Sequence, residues 1–216
     1  MKRLAITAIL SLAVSSAAQA DTSLGVKVGT LGLGIEGTYD LSEKWGLRGA
    51  FNQYDYSYED DLDGVDYDGD LELSSISLLA DFRPFETGFR LSGGVILNDN
   101  RIQGVALPAD FYDIGDQTYT QAEVGVLSAT ADFDDVAPYF GIGYDFNRSS
   151  NLRFNVDLGV LVQGSSSVQI LSTGGTLSND PAFQSELDAE AIAYEDDLED
   201  YDLYPVLALG VSYAFE

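Results

Sequence analysis

Histidine and cysteine are absent from this 216-residue sequence. Without cysteine, neither disulfide bonds nor thiolate metal sites contribute to the structure. Without histidine, the chain lacks the general base on which many hydrolytic enzymes rely, beside a serine or an aspartate. Carboxylates are so numerous that two of them lie close together by chance, and no set of nucleophile, base and orienting group can be assembled. We therefore expect no catalysis, no catalytic residues and no cofactor.

Long apolar runs are also missing, apart from one near the start. Two basic residues precede the apolar run Leu4–Val14, and Ala18–Ala20 supplies a small-x-small cleavage site. This pattern predicts a signal peptide over residues 1–20 and a single mature domain over 21–216. Nothing after the signal approaches the roughly 20 apolar residues that a transmembrane helix needs. Any later insertion into a membrane must therefore use strands.

Apolar and polar side chains alternate in most of the mature chain. In Leu152–Gln163 the even positions are all leucine, phenylalanine or valine, whereas the odd positions are mostly polar. Such a segment suits a strand with one face toward lipid and the other toward a polar interior. Six further segments alternate in the same way: Leu31–Tyr39, Trp45–Asn52, Tyr67–Phe85, Phe89–Asn98, Tyr139–Phe146 and Leu203–Phe215. In the third of these segments the apolar positions change parity near Ser74-Ser75, which predicts a β-bulge.

These segments supply seven strands, whereas single-chain bacterial barrels have an even number. Two interpretations provide an eighth. In the first, Thr22–Val28 is a short strand that turns tightly at Gly29-Thr30. In the second, Leu24–Asp40 is one bulged strand, and the missing strand lies within Tyr119–Ala131. Under both interpretations we expect Leu31 to face outward with the other apolar residues of its segment.

Connections between the segments alternate in length, which distinguishes periplasmic turns from external loops in membrane barrels. The short ones are Leu41–Lys44, Phe85–Gly88 and Asn147–Asn151, and the long ones are Glu59–Asp66, Asn100–Asp135 and Gly164–Asp202. The sequence thus predicts an all-β fold, an antiparallel transmembrane β-barrel of eight strands with short periplasmic turns and long acidic external loops. A soluble antiparallel sandwich would bury the same apolar faces against each other. The length of the segments, the aromatic residues near their ends and their charged inner faces favour the barrel.

The last long loop contains one helical signal. Asp180 can cap a helix that begins at Pro181. An apolar stripe follows at helical spacing, at Phe183, Leu187, Ala191, Tyr194 and Leu198. We predict an external helix that folds over the barrel mouth with this stripe downward.

Acidic residues greatly outnumber basic ones. Removal of the signal with Lys2 and Arg3 leaves eight Lys and Arg against 36 Asp and Glu, a net charge of −28, which argues against nucleic acid as a partner. The acids concentrate at Glu59–Glu72 and Glu186–Asp202. We assign eight of them to an acidic mouth: Asp60, Asp61, Asp63, Asp66, Asp68, Glu195, Asp196 and Asp197. These runs are either a solvated, repulsive surface or a negative mouth that concentrates cations.

Alternating carboxylates in the first acidic run are a candidate metal site. Asp66, Asp68 and Asp70 carry the oxygen ligands that Ca²⁺ prefers. The segment is not an EF-hand loop, because its glycine falls at the fourth position rather than the sixth and the bidentate glutamate is missing. In strand conformation these carboxylates would simply line one face.

Eight charged side chains are predicted to face the lumen: Glu36, Arg48, Asp81, Arg83, Arg90, Asp145, Arg153 and Asp157. A barrel of eight strands leaves little free space inside. Charges buried there must pair. If all of them pair they form a plug, and if some stay hydrated they line a narrow polar path for small solutes.

Several ordered motifs resemble those of the CarO type of small outer-membrane protein, which is related in character to OmpW-like and OmpA-like barrels. The matching features, in chain order, are Val28-Gly29-Thr30, the run DYDGDLEL from Asp66, Arg83-Pro84-Phe85, Asn98-Asp99-Asn100, the run Val136–Gly143 and Tyr204-Pro205-Val206. The resemblance covers most of the mature chain. It implies an eight-stranded barrel with proposed uptake of ornithine and other small basic amino acids, and it carries no catalytic residues.

These observations lead to a functional expectation with one alternative. We expect a narrow porin-like channel in the outer membrane of a Gram-negative bacterium, which passes small, preferably cationic solutes such as basic amino acids. Its partners would be outer-membrane lipid and lipopolysaccharide, with divalent cations at the external loops. The alternative is a non-conducting barrel for envelope structure or surface interaction. A channel requires hydrated lumen charges and an external helix held off the axis, whereas a structural barrel would show a continuous salt-bridged plug.

Overall fold

The computed structural model describes residues 21–62, 65–115, 117–198 and 202–215, and the side chains of 60–67 are not described. The predicted signal peptide and Asp63 lie outside the described residues. In chain order the elements are β1 (Thr22–Gly29), β2 (Gly32–Asp40), β3 (Trp45–Leu62), β4 (Val65–Phe82), β5 (Phe89–Asn98), β6 (Arg101–Ala106), β7 (Phe111–Ile114), β8 (Gln117–Thr120), α1 (Gln121–Val124), β9 (Gly125–Asp132), β10 (Val136–Phe146), β11 (Leu152–Val162), β12 (Ser167–Gly174), α2 (Pro181–Leu198) and β13 (Leu203–Phe215).

Eight of these strands close an antiparallel barrel. Around the barrel they follow the order β1, β2, β3, β4, β5, β10, β11 and β13, and β13 pairs back onto β1. Closure pairs Thr22 with Phe215 at one end and Gly29 with Ala208 at the other. The predicted eight-stranded barrel is therefore confirmed, with β1 and β2 as separate strands. The alternative location for the eighth strand is wrong, because β9 lies outside the barrel.

Alternation along each barrel strand separates an apolar outer surface from a polar interior. Outward side chains such as Leu78, Phe140 and Leu209 are each more than half exposed. Aromatic rings concentrate at the periplasmic ends of the strands, as in the pairs Trp45–Phe82 and Tyr213–Phe215. An exposed apolar band bordered by aromatic rings is the surface that a membrane barrel presents to lipid and to the lipid–water interface.

The predicted bulge near Ser74-Ser75 is wrong. β4 pairs with β3 in one unbroken register from Val65 to Phe82, and its pairing with β5 and then β6 is equally regular. The apolar side chains switch from odd to even positions because β4 leaves the barrel wall at this point. Leu71 and Leu73 lie on the lumen-side face, above the level at which polar side chains fill the interior.

Two further expectations need correction. Leu31 is buried in the barrel interior rather than exposed to lipid. It belongs to the tight turn between β1 and β2, where the regular alternation of inward and outward side chains along a strand is interrupted. The connection Glu59–Asp66 is not a long loop. β3 and β4 extend as a hairpin through Leu62 and from Val65, so that only two residues separate the strands.

The other long connections form additional structure on this hairpin. β6 pairs with the outer part of β4, β9 pairs with β6, and β12 pairs with β9, so the sheet continues beyond the barrel. We call this part the external head: β3 from Tyr54, β4 up to Leu73, and β6, β7, β8, α1, β9, β12 and α2. The head has an apolar core of its own, which contains Ala106, Tyr112, Ile114, Tyr119, Val124, Leu127, Phe183 and Leu187.

Helix α2 forms where the sequence predicts it. Asp180 Oδ1 accepts hydrogen bonds from the backbone N–H groups of Ala182 and Phe183, which makes Asp180 the N-cap. Phe183, Leu187 and Ala191 are buried, whereas Tyr194 is exposed. The buried part of the stripe packs on the sheet of the head, on the face that continues the lumen face of β4. In the described part of the chain, no helix is long and apolar enough to cross a membrane.

Candidate functional site

The barrel interior is organised around Arg48, which is 2% exposed. Its guanidinium donates hydrogen bonds to both carboxylate oxygens of Asp157 at 3.0 Å and to Asp81 at 3.1 Å. It also donates to Ser92 Oγ at 2.9 Å, and Glu36 lies 3.5 Å away. Ser92 in turn donates to Asp81 at 2.5 Å. One arginine thus joins acidic side chains from β2, β4 and β11.

Arg90 and Arg83 extend this arrangement toward the periplasmic end. Arg90 donates to Asp157 at 2.7 Å and forms an ion pair with Asp145. Arg83 pairs with Asp145 at 3.6 Å and with Asp40 at 2.9 Å. These contacts connect β5, β10 and the turn after β4 to the group around Arg48.

Two more cations complete one connected set, which we call the lumen network. Lys27 lies 3.4 Å from Glu36, and Arg148 lies 3.5 Å from Asp40. The network contains five basic residues, Lys27, Arg48, Arg83, Arg90 and Arg148, and five acidic residues, Glu36, Asp40, Asp81, Asp145 and Asp157. A separate pair, Arg153 with Asp21 at 2.7 Å, lies at the periplasmic rim. The interior is therefore electrically balanced.

An apolar layer lies above the lumen network, toward the cell exterior. It consists of Leu31, Leu79, Ile96, Ala137, Tyr139, Leu161 and Val206, all nearly inaccessible to solvent. Tyr139 extends across Gly141 and Gly159, which face each other on β10 and β11. A Cβ atom at either glycine would lie within 2.4 Å of the tyrosine hydroxyl oxygen, so both positions must be small. This layer occupies the outer half of the lumen together with the buried polar side chains of Asn52, Ser75, Ser77 and Asn98.

The interior also contains polar atoms that have no hydrogen-bond partner among the described residues. They are Arg48 Nε, Asn52 Oδ1, Ser77 Oγ, Arg83 Nε, Arg90 Nε, both amide atoms of Asn98 and Asn155 Oδ1. Two small cavities are lined by the residues that carry these atoms, Asn98 excepted. One is lined by Asn52, Ser77 and Tyr139, and the other by Arg83, Arg153 and Asn155. Both cavities reach Arg48, which lies between them.

The eight residues predicted for the lumen all lie on its inner side, and all of them form ion pairs. Sequence reasoning missed three charges of the lumen network, Lys27, Asp40 and Arg148. Lys27 and Asp40 alternate with the apolar positions of β1 and β2, so the signal for both was present, whereas Arg148 lies in the turn between β10 and β11, where alternation gives no signal.

The predicted acidic mouth is only partly described. Asp68 is exposed on the face of β4 that points away from the barrel axis. Glu195 accepts a hydrogen bond from the backbone N–H of Val168 at 2.8 Å, at the edge of β12. Asp196 and Asp197 are exposed on α2. The side chains of Asp60, Asp61 and Asp66 lie outside the described set. The described acids thus lie on different faces of the head, Asp68 on the outer face of β4 and the others on α2.

The described candidate metal residues lie in a strand and line one of its faces, as expected for carboxylates at alternate positions. Asp68 and Asp70 share the outer face of β4, and Asp70 accepts a hydrogen bond of 2.5 Å from Ser57 on the neighbouring strand. Within the described residues, no group of three or more acidic side chains is arranged to hold a metal ion. Asp66, the third member of the candidate set, is not among the described side chains.

Hydrogen bonds shift two pKa values in the external head. The carboxylate of Glu186, bonded to the hydroxyl of Tyr119, raises the pKa of that tyrosine to about 12. The backbone N–H of Thr120 and its hydroxyl bond to Glu123 and lower the pKa of that carboxyl. Both contacts fix segments that pack beside α2.

Comparison with known proteins identifies the fold. No protein-family model and no curated protein sequence matches the chain. The crystal structure of Acinetobacter baumannii CarO2 superposes with a TM-score of 0.59 at 23% identity, covering 91% of this chain and 100% of that chain. The crystal structure of Acinetobacter baumannii CarO gives a TM-score of 0.57 at 24% identity, covering 89% of this chain and 97% of that chain.

The chain has the CarO fold. The resemblance seen in the sequence is thereby confirmed at the level of architecture, which is that of a small outer-membrane β-barrel. At these identities the CarO structures establish the fold alone.

Proposed function

We propose that this chain is an outer-membrane barrel closed to solutes, which displays an acidic external head at the surface of a Gram-negative bacterium and has no catalytic role. The lumen network carries this proposal. Five cations and five anions are joined in one connected set, and an apolar layer lies above them. This is the continuous plug that favours a non-conducting barrel over a channel.

The charge of the head supports a role in collecting cations. Outside the interior, the mature chain keeps only Lys44 and Arg101 as basic residues, and Arg101 is paired with Asp132 at 2.6 Å. A surface of one sign raises the local concentration of ions of the other sign, an effect that salt weakens. Divalent cations held between the head and lipopolysaccharide, and small organic cations, are the proposed partners.

A second candidate function is a narrow channel for small cationic solutes such as basic amino acids. The unpartnered polar atoms along the interior favour it, because they offer hydrogen bonds to water or solute. Passage would require both the apolar layer and the group around Arg48 to rearrange. The acidic head would then select cations before they reach the lumen.

Uptake into proteoliposomes separates the two functions. The mature chain is folded into liposomes, and entry of radiolabelled ornithine and glutamate is compared with entry into empty liposomes. A closed barrel predicts no uptake of either solute above the empty control. Salt-sensitive uptake of ornithine in preference to glutamate would overturn the closed barrel and support the channel.

A further inference from the structure

Three tyrosines form a row on the hairpin that β3 and β4 extend beyond the membrane. Tyr54, Tyr56 and Tyr58 follow at every second position of β3 and therefore share one face. Their ring centroids are 6.4 and 6.2 Å apart, and successive ring planes differ by only 10° and 13°. The row lies on the face that continues the lumen side of the barrel wall, since Asn52 on the same face is buried inside.

The orientation of the row follows from Gly69, which pairs with Tyr58 across the hairpin. A Cβ atom at Gly69 would lie 2.5, 2.7 and 2.8 Å from three adjacent atoms of the Tyr58 ring. Such similar distances mean that the ring lies with its face against the glycine. Because the other two rings are nearly parallel to it, all three present a face away from the sheet.

The row is accessible in the described structure. Tyr54 is 43% exposed and Tyr56 is 53% exposed, although large apolar side chains of the head core are buried nearby. Helix α2 and the hairpin of β7 and β8 pack further along the same sheet. The residues paired with the first two rings, Leu73 and Leu71, contribute no hydrogen-bonding side chain to this face.

The opposite face of the hairpin is strongly acidic. Asp55 and Glu59 on β3, with Asp68, Asp70 and Glu72 on β4, are all exposed there. Arg101, on the neighbouring strand β6, is paired with Asp132. The negative face of an aromatic ring attracts cations, and this attraction adds to that of nearby carboxylates. A ligand for the row should therefore be a cation rather than a neutral sugar, which needs polar partners beside the rings.

We propose that the tyrosine row binds a linear aliphatic polyamine. Because three bonds of an extended chain span about 3.8 Å, the five bonds between two amines separated by four carbons span about 6 Å. That length equals the spacing of successive rings, so each ammonium group can lie over one ring while the methylene groups cover the edges between them. The inference rests on the cation-collecting part of the proposed function and is independent of whether the lumen conducts.

Calorimetry on the folded mature chain tests the site, with spermidine and 1,4-diaminobutane as probes at low ionic strength. An exposed cation–π contact contributes about 0.5–1 kcal/mol, so Tyr56→Leu should weaken spermidine binding about threefold. Replacement of all three tyrosines by leucine should weaken it at least tenfold. The shorter 1,2-diaminoethane should bind less well than 1,4-diaminobutane, and the triple variant should lose this preference.

A matched control is Tyr213→Leu, which removes a tyrosine from an edge-to-face aromatic pair at the periplasmic end and should leave binding unchanged. Fluorescence of the only tryptophan, Trp45, verifies that each variant has folded. Spermidine binding that is unaffected in the triple variant would overturn the proposal, as would binding of a neutral oligosaccharide in place of the amine. If Ca²⁺ and spermidine both fail to bind, the cation-collecting function itself fails.

Discussion

The lumen and the external head of this barrel use charge in opposite ways. Inside, five basic and five acidic side chains pair in one connected set, and all of them except Arg148 are at most 13% exposed. In the head, acidic side chains stand exposed with Arg101 as the only basic residue of its strands. The difference arises from the exposure of the charges to solvent. A charge that is removed from water must be paired, whereas an exposed charge is screened by water and salt.

The largest expected effect tests whether that difference in pairing matters for stability. Arg48→Met removes the closest cation of Asp81 and one of the two cations that contact Glu36, and we expect a loss of about 3–5 kcal/mol of unfolding free energy. The matched variant Arg101→Met breaks an ion pair whose two side chains are 39% and 43% exposed, and should cost less than about 1 kcal/mol. Urea unfolding of the folded protein, followed by Trp45 fluorescence, measures both. Equal losses would remove the energetic distinction between lumen and head.

The second prediction concerns the two apolar cores. Phe183 is 2% exposed and packs edge-on against Tyr119 at 4.9 Å between ring centroids. Phe183→Ala should destabilise the head by about 3–5 kcal/mol, because it leaves a cavity in the head core. Hydrogen exchange should then accelerate in β12 and α2 and stay slow in the barrel strands. The lipid-facing variant Phe140→Ala is the control, and loss of protection in β1 or β13 would show that the two regions unfold together.

A third prediction probes the apolar layer of the lumen. In Gly141→Ala the new methyl group would meet the Tyr139 hydroxyl oxygen at 2.3 Å, and overpacking of this kind costs about 1–3 kcal/mol. Adding Tyr139→Leu should recover most of the loss. The changes in unfolding free energy of the two single variants, measured with urea, should therefore not add up to that of the double variant. Gly93→Ala serves as control, since its methyl group would find only ordinary contacts from 3.8 Å. Additive losses would show that Tyr139 is not held by the two glycines.

The smallest expected effect is the response of the head to alkali. The folded pKa of Tyr119 is raised from 10.0 to about 12 by its hydrogen bond to Glu186. Because the folded value is the higher one, this contact stabilises the head fully below pH 10 and the contribution disappears as pH rises through about 12. NMR titration of ¹³C-labelled tyrosine should show this late transition for the Tyr119 ring, which is assigned by the resonance lost in Tyr119→Phe. Glu186→Gln should return it toward pH 10, and an unchanged titration would mean that the bond is not formed.

Much of the barrel could be predicted from sequence, because lipid contact imposes a local rule of alternate apolar positions. That rule identified the strands and all eight predicted lumen charges. It does not apply at turns or beyond the membrane, which is why Leu31 and the parity change at Ser74-Ser75 were misread. The helix α2 was predictable because its cap at Asp180 and its stripe are also local signals.

The partners of Arg48 and the architecture of the head could not be predicted. The residues bonded to Arg48 are 12, 33, 44 and 109 positions away in sequence, and only closure and register bring them together. The head strands β6, β9 and β12 are short, with small or mixed side chains, and their order in the sheet does not follow the chain. Their pairing depends on the long β3–β4 hairpin, which the acidic composition of Glu59–Asp66 made look like a loop.

Single-channel recording on the folded mature chain in planar lipid bilayers tests the central claim that the lumen network closes this barrel. Correct folding is first verified by Trp45 fluorescence and by slow hydrogen exchange in the barrel strands. The account predicts no conductance above the bare bilayer, in salts of small and large cations alike. Stable, cation-selective openings of the unmodified protein would contradict it and would make the channel its function.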